Sequence, residues 1–290
     1  MARRTSDDDL ARQVDALDAD RAFAELNGWR LVEVGGGDAR AWLHDLVTAD
    51  IASLTTGSGR RSLILTPTGR IRADVQVIAR DDGFLLLQAP DQPEPVDRIL
   101  APYVLSSDVE LDDVSDQVRA FAVLGGGAAE DDVESWTPSP LGSGWAVAVA
   151  PGEADAIRDR LAATPLTEVS PPAIERWRIR RGIARMGADF GADALPAEAG
   201  LESVIDFSKG CFLGQESVAK VRNLGHPPRA IVSVGSKAPL EVGMTVRAGE
   251  REVGEVTSVA VGPDVRGIVR VRWDAAGEPL ATQAGPLFLR

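Results

Sequence analysis

Apolar and polar positions recur with a period that changes from segment to segment. Leu31-Val32-Glu33-Val34 alternates and runs into Gly35-Gly36-Gly37, the pattern of a strand ended by glycines. Asp38 then occupies a helix N-cap position. Ala39, Leu43, Leu46 and Val47, with Trp42, follow at helical spacing. Three strands are expected next, at Ser62–Leu65, Ile71–Ile78 and Phe84–Gln88, joined by Thr66-Pro67-Thr68-Gly69 and Asp81-Asp82-Gly83 turns. Pro95–Leu105 reads as a helix and Val109–Leu111 as a strand. The order β-α-β-β-β-α-β predicts a split βαβ (ferredoxin-like) sheet with one added strand.

A second, shorter unit repeats the theme. Ala120–Leu124 and Trp145–Val149 read as strands on either side of an acidic loop at 128–143. Helices are expected at Glu153–Leu161 and, after Ser170-Pro171-Pro172, at Ile174–Ile183. Beyond Pro227-Pro228 short strands alternate with Gly-containing turns, the signature of a small antiparallel β-barrel. The fold class expected is α+β. A loosely ordered N-terminal arm spans 1–25, in which Leu10, Val14 and Leu17 have the spacing of a short exposed helix; a first α+β domain spans 26–115, a second unit interleaved with it 116–226, and the barrel 227–290.

Composition narrows the function. The 290 residues carry 44% hydrophobic and 26% charged side chains, ordinary values for a folded protein. No apolar run approaches the roughly 20 residues that span a bilayer, and no apolar stretch follows Arg3-Arg4 as in a secretory leader. The expectation is a cytoplasmic protein with no membrane partner. A net charge of −13 disfavours duplex DNA. One cysteine, Cys211, excludes an internal disulfide and any metal cage built from cysteines of one chain. Three of the 31 Lys and Arg residues are lysine, and two of these, Lys209 and Lys220, flank Cys211. The arginine run Arg176, Arg178, Arg180, Arg181 and Arg185 is expected as a solvated helix face paired with surplus acids rather than an RNA-facing surface.

The least generic stretch is Lys209-Gly210-Cys211-Phe212-Leu213-Gly214-Gln215-Glu216. A helix is expected from Gln215 to Arg222, which sets Cys211 just ahead of a helix N-terminus, where a thiolate is favoured. The alternative is a small buried hydrophobe in a glycine-bracketed turn. Asp74 lies in the alternating strand Ile71–Ile78, with Asp74 and Gln76 on one face and Val75 and Val77 on the other. If the first face lines an opening, Asp74 is chemically available; if it faces solvent, it is a surface charge.

The Lys209–Glu216 stretch resembles the Lys-Gly-Cys-aromatic-x-Gly-Gln-Glu signature of the YgfZ-type folate-binding proteins, which are similar in fold to the T-protein (aminomethyltransferase) of glycine cleavage. Further fragments of the same family pattern are Val34-x-Gly36-x-Asp38-Ala39-x-x-Trp42-Leu43, Gly69-Arg70-Ile71-x-x-Asp74, Trp177-Arg178-Ile179-x-x-Gly182 and Pro196-Ala197-Glu198-Ala199-Gly200-Leu201. The resemblance implies α+β domains and a barrel around a central cavity for tetrahydrofolate. It implies a role in maturing or repairing iron–sulfur proteins, with a tie to tRNA modification.

By resemblance, Glu198 accepts the 2-amino and ring N–H groups of the pterin and Phe190 walls the ring. Gln215 is a further folate contact, and Lys220 and Arg222 are partners for the glutamate tail. Cys211, Lys209 and Asp74 are the chemically active candidates. For the binding candidates the alternatives are a first-turn helix charge for Glu198, core packing for Phe190 and a solvated helix face for Lys220 and Arg222. T-protein relatives carry two adjacent aspartates where this chain has Ala73-Asp74, and they lack the cysteine. Both departures point to the YgfZ branch. The partners implied are folate and iron–sulfur client or assembly proteins, and no metal site is expected. The rival functions are a folate-dependent aminomethyltransferase using Asp74 and a folate-independent scaffold.

Overall fold

The computed structural model describes residues 7–125, 137–138, 145–151, 154–262 and 264–290. Most of the acidic loop expected at 128–143 lies outside these residues. The chain opens with α1 (Asp7–Asp18), β1 (Ala22–Glu25), β2 (Arg30–Gly35), α2 (Ala39–Leu46), β3 (Gly59–Leu65), β4 (Ile71–Arg80) and β5 (Gly83–Gln88). Next come α3 (Val96–Leu100), β6 (Glu110–Asp113), β7 (Val118–Leu124), β8 (Thr137–Pro138), β9 (Trp145–Pro151), α4 (Ala154–Ala162) and β10 (Thr167–Glu168). The chain continues with α5 (Pro171–Arg180), α6 (Gln215–Leu224), β11 (Arg229–Ser236), β12 (Thr245–Ala248), β13 (Arg251–Ala260), β14 (Val265–Arg272), β15 (Leu280–Thr282) and β16 (Gly285–Leu289). Two compact units result. The first comprises Met1–Leu65, Arg72–Ile174 and Val204–Leu213; the second comprises Thr66–Ile71, Glu175–Ser203 and Gly214–Arg290.

The first unit holds two five-stranded sheets, in the orders β3-β4-β5-β2-β6 and β10-β1-β7-β9-β8. Strand β4 is buried on both faces. Ala73, Val75, Val77 and Ala79 join Leu43 and Leu46 of α2 and Ile99 and Leu100 of α3 in one core. Asp74, Gln76 and Ile78 occupy the opposite face, with Leu85 and Leu87 as cross-strand neighbours, all nearly inaccessible. The expected alternation is therefore present, but the second face is an interior, not a solvent surface.

The glycine run after β2 serves a close approach. A Cβ on Gly36 would lie 2.2 Å from the Asp108 carbonyl oxygen, so no side chain fits there. Asp38 does not cap α2 with its side chain. Its carboxylate instead accepts the Asp108 N–H at 2.9 Å, while Asp108 accepts the Gly37 N–H at 3.0 Å.

The expected loose arm over 1–25 is overturned for residues 7–25. Val14 and Leu17 of α1 and Phe23 of β1 are buried, and β1 pairs with β7 in register Ala22↔Leu124. These few buried apolar residues suffice in a polar, Asp-rich stretch, because tertiary packing rather than local propensity stabilises a short amphipathic helix. The helix expected at 95–105 ends at Leu100 and continues as a 3-10 turn, Ala101–Tyr103.

In the second unit, β11 to β16 close into a barrel in the order β11-β14-β13-β12-β15-β16. Inside it pack Val234, Val246, Val256, Val269 and Val271. In the arginine run Arg180 and Arg181 are exposed as expected, but Arg178 departs from the solvated face. Arg178 is 4% exposed, and its guanidinium donates to Glu175, Asp189, Ser258 and the Ile183 carbonyl oxygen. The Asp189 side chain is fully buried, so this is an interior ion pair with its remaining valences satisfied.

Candidate functional site

The signature loop belongs to the first unit up to Leu213. Lys209 extends its side chain to the C-terminal end of α2, where Nζ donates to the carbonyl oxygens of His44, of Val47 at 2.5 Å and of Ala49 at 3.0 Å. Helix C-termini leave such carbonyls without intrahelical donors, and an ammonium with three N–H groups satisfies several at once. Burial pulls the Lys209 pKa down from 10.5 to about 8, and Asp45, Asp50 and Asp206 oppose that fall. The backbone ties the same segment down twice more: the Asp206 N–H donates to Thr48 O at 3.0 Å and the Leu213 N–H to Asp45 O at 3.1 Å. Phe212 is buried. Between Lys209 and Phe212, Cys211 is exposed with a free thiol. Lys209 is thus an anchor with its amine fully engaged, and Cys211 is the presented group.

Asp74 lies in the same unit, 7% exposed. Arg61 of β3 grips its carboxylate in a fork, Nε to Oδ1 at 2.9 Å and Nη2 to Oδ2 at 2.5 Å. Burial alone would weaken Arg61's hold on its proton, but the charge and hydrogen bonds of Asp74 outweigh it, so its pKa is raised. The Asp74 backbone is held as firmly: its N–H donates to Gln92 Oε1 at 2.9 Å and its carbonyl accepts from Gln92 Nε2 at 2.6 Å. Neither Arg61 nor Gln92 was among the sequence candidates. Arg61 precedes the strand expected at Ser62–Leu65 and carries no signal of its own; the structure extends that strand back to Gly59.

The remaining candidates belong to the second unit. Glu198 ends a 3-10 turn, Pro196–Glu198, and is 2% exposed. Its Oε2 accepts from Arg270 at 2.9 Å, whereas Oε1 has a distant donor, the Leu195 N–H at 3.4 Å. Arg270 also grips Asp193, which Arg229 holds from another side. Phe190 is buried at 3%, consistent with core packing. Gln215 opens α6, half-buried, and Lys220 and Arg222 are exposed on the same helix. Two positions apart is about 200° around a helix, so Lys220 and Arg222 point to opposite sides and do not form one cationic grip. The hairpin tip fits closely beside α6: a Cβ on Gly69, at φ +77°, would lie 2.9 Å from Ser217 Cβ.

Comparison with known proteins places these residues in context. The family model described as the GCVT N-terminal domain matches residues 2–138. A putative chloroplastic transferase of Arabidopsis thaliana is 25% identical over 88% of this chain, which spans 65% of that protein's length. A tRNA-modifying protein YgfZ of Photobacterium profundum is 26% identical, covering 81% of this chain and 75% of its own. A mitochondrial iron–sulfur cluster assembly factor homologue of Pyricularia oryzae is 29% identical over 70% of this chain and 54% of its own. Among solved structures, the glycine cleavage system aminomethyltransferase T of Bartonella henselae superposes with a TM-score of 0.80 at 19% identity. That match covers 97% of this chain and 87% of that one. It establishes the shared fold.

Proposed function

Because this chain is a YgfZ-type, GcvT-like protein, we propose that it binds tetrahydrofolate and supports the assembly or repair of iron–sulfur proteins through the thiol of Cys211, and by that route tRNA modification. One observation carries the reading: Cys211 is exposed on a loop that Lys209 and Phe212 pin from either side. A thiol held out from a fixed backbone meets an incoming partner without paying the entropy of ordering its own loop. A lone cysteine does not hold a cluster, so its partner thiols come from a client protein, a second copy or a small thiol. The bacterial relative, a tRNA-modifying protein, and the fungal one, an iron–sulfur cluster assembly factor homologue, support the iron–sulfur and tRNA parts of this reading.

Glu198 fits the pterin in one respect. Its buried Oε1 has spare accepting capacity, which suits the paired donors on the 2-amino edge of the ring. Lys220 suits a tail carboxylate. Bound tetrahydrofolate supplies nitrogens that carry a one-carbon unit. The transferase alternative asks Asp74 to take up a proton or an amine, and Arg61 already occupies both of its oxygens.

The test is Cys211→Ser. Calorimetry with tetrahydrofolate should give wild-type heat, whereas iron–sulfur enzyme activity in a null strain should not be restored. Full rescue by the serine variant would remove the thiol from the account, and a wild-type protein without heat would remove folate.

A further inference from the structure

His44 has no part in the folate reading, yet it touches the loop that carries Cys211. It lies in the last turn of α2 with its side chain 16% exposed. Its Nε2 is 3.3 Å from the Lys209 carbonyl oxygen. Its Nδ1 is 3.7 Å from Asp50 Oδ1 and has no hydrogen-bond partner among the described residues. A carbonyl only accepts, so Nε2 carries the hydrogen in this bond whether the ring is neutral or charged. The bond is returned, because Lys209 Nζ donates to the carbonyl oxygen of His44. Each side chain thus closes on the other's main chain, a reciprocal clasp within one compact unit.

The clasp fixes the peptide between Lys209 and Gly210. Gly210 follows at φ +101°, and a Cβ built there would meet nothing within 4 Å. No packing restrains this turn, so the backbone pivots at Gly210 unless both flanks are held. Phe212 holds the far flank: it is buried, with the Lys209 ammonium 5.6 Å from its ring centroid. On the near flank Lys209 grips α2 through a flexible four-carbon stem, which leaves its own backbone free to swing. The His44 bond acts on that backbone directly.

We propose that His44 is the positioning residue of the signature loop: by holding the Lys209 carbonyl it sets the direction in which Cys211 is presented. This inference rests on the Cys211 reading above and deepens it.

The experiment compares His44→Phe, which keeps a ring without a donor, with His44→Gln, which keeps an N–H donor. Thermal unfolding checks the fold of each, and His44→Leu stands in if His44→Phe fails. In wild type, the ring nitrogen shifts should place a hydrogen on Nε2, and amide order parameters at Gly210 and Cys211 should be those of rigid backbone, about 0.85. In His44→Phe they should fall below about 0.6. Amide exchange at Leu213 should accelerate by about three- to tenfold, the loss of one hydrogen bond. Iron–sulfur enzyme activity restored in a null strain should drop by about threefold or more. Alkylation of Cys211 by iodoacetamide should stay within about twofold of wild type, because the thiol is exposed without the clasp as well. His44→Gln should return both the order parameters and the activity.

Wild-type order parameters in His44→Phe overturn the clasp, as does a His44→Gln loop as mobile as that of His44→Phe, or a ring hydrogen on Nδ1 alone. A loosened loop with full activity overturns the link from His44 to the thiol. Full rescue by Cys211→Ser overturns the thiol reading instead, and the order parameters test the clasp independently of it.

Discussion

Replacing Lys209 with Met tests whether the signature loop is anchored as the geometry requires. Methionine keeps most of the aliphatic stem and removes the ammonium. The carbonyls of His44, Val47 and Ala49 then lose a common donor. Bonds to a charged donor are worth about 1.5–3 kcal/mol each. Lys209 is half-buried, so water replaces part of what is lost, and the net cost falls to roughly 2–3 kcal/mol. The loss is local. Amide hydrogen exchange at Asp206 and Leu213, whose N–H groups bond Thr48 and Asp45, reads it directly. At 1.36 kcal/mol per decade, exchange there should accelerate by about 30- to 150-fold. Amides of the barrel core, such as Val269, should not change. Exchange at Asp206 and Leu213 within about twofold of wild type would refute the anchor.

The same lysine carries a pH signature. Its pKa is about 8 in the folded chain against 10.5 unfolded, so between these values the unfolded chain binds more protons. Unfolding free energy should then rise with pH across that window in wild type relative to Lys209→Met, as matched denaturant titrations would show. Arg178→Met leaves the fully buried Asp189 carboxylate without its cation and should cost about 3–5 kcal/mol by guanidinium unfolding. Gln76→Leu should do the opposite. The Gln76 amide is 0% exposed with neither Nε2 nor Oε1 bonded among the described residues, so an apolar side chain of similar size should stabilise by about 1–3 kcal/mol, read as a higher Tm. Asp193 is held below the usual carboxylate range by Arg270 hydrogen bonding, against an opposing burial effect, with Arg229 adding to it. Its contribution should be full above its unfolded pKa near 3.8 and fade as pH falls through the lowered value; acid titrations should lose this feature in Arg270→Met.

Periodicity and punctuation were enough to lay out the strands of the first sheet, the Gln215 helix and the barrel, because each depends on neighbours a few residues away. The motif around Cys211 was legible as a motif, and so was the placement of Asp74 and Gln76 on one strand face. The helical spacing at 7–18 was legible but its packing was not: the helix is polar on balance and acquires its stability from β1 and the sheet it joins. Arg178 reads as one of five surface arginines until Asp189 and Ser258 are brought to it. Lys209 finds its acceptors more than 150 positions away in the chain, and Arg61 meets Asp74 through the pairing of β3 with β4.

Residue order along the chain therefore determined the elements, the barrel and the identity of the chemical groups. Tertiary structure decided their employment: which cation is spent on which carboxylate, which lysine becomes an anchor, and which sulfur is left facing out. The reason is range. Dihedral preference and hydrophobic period act over single turns and strands, whereas the partner of a charged group is whatever the fold carries within about 3 Å of it.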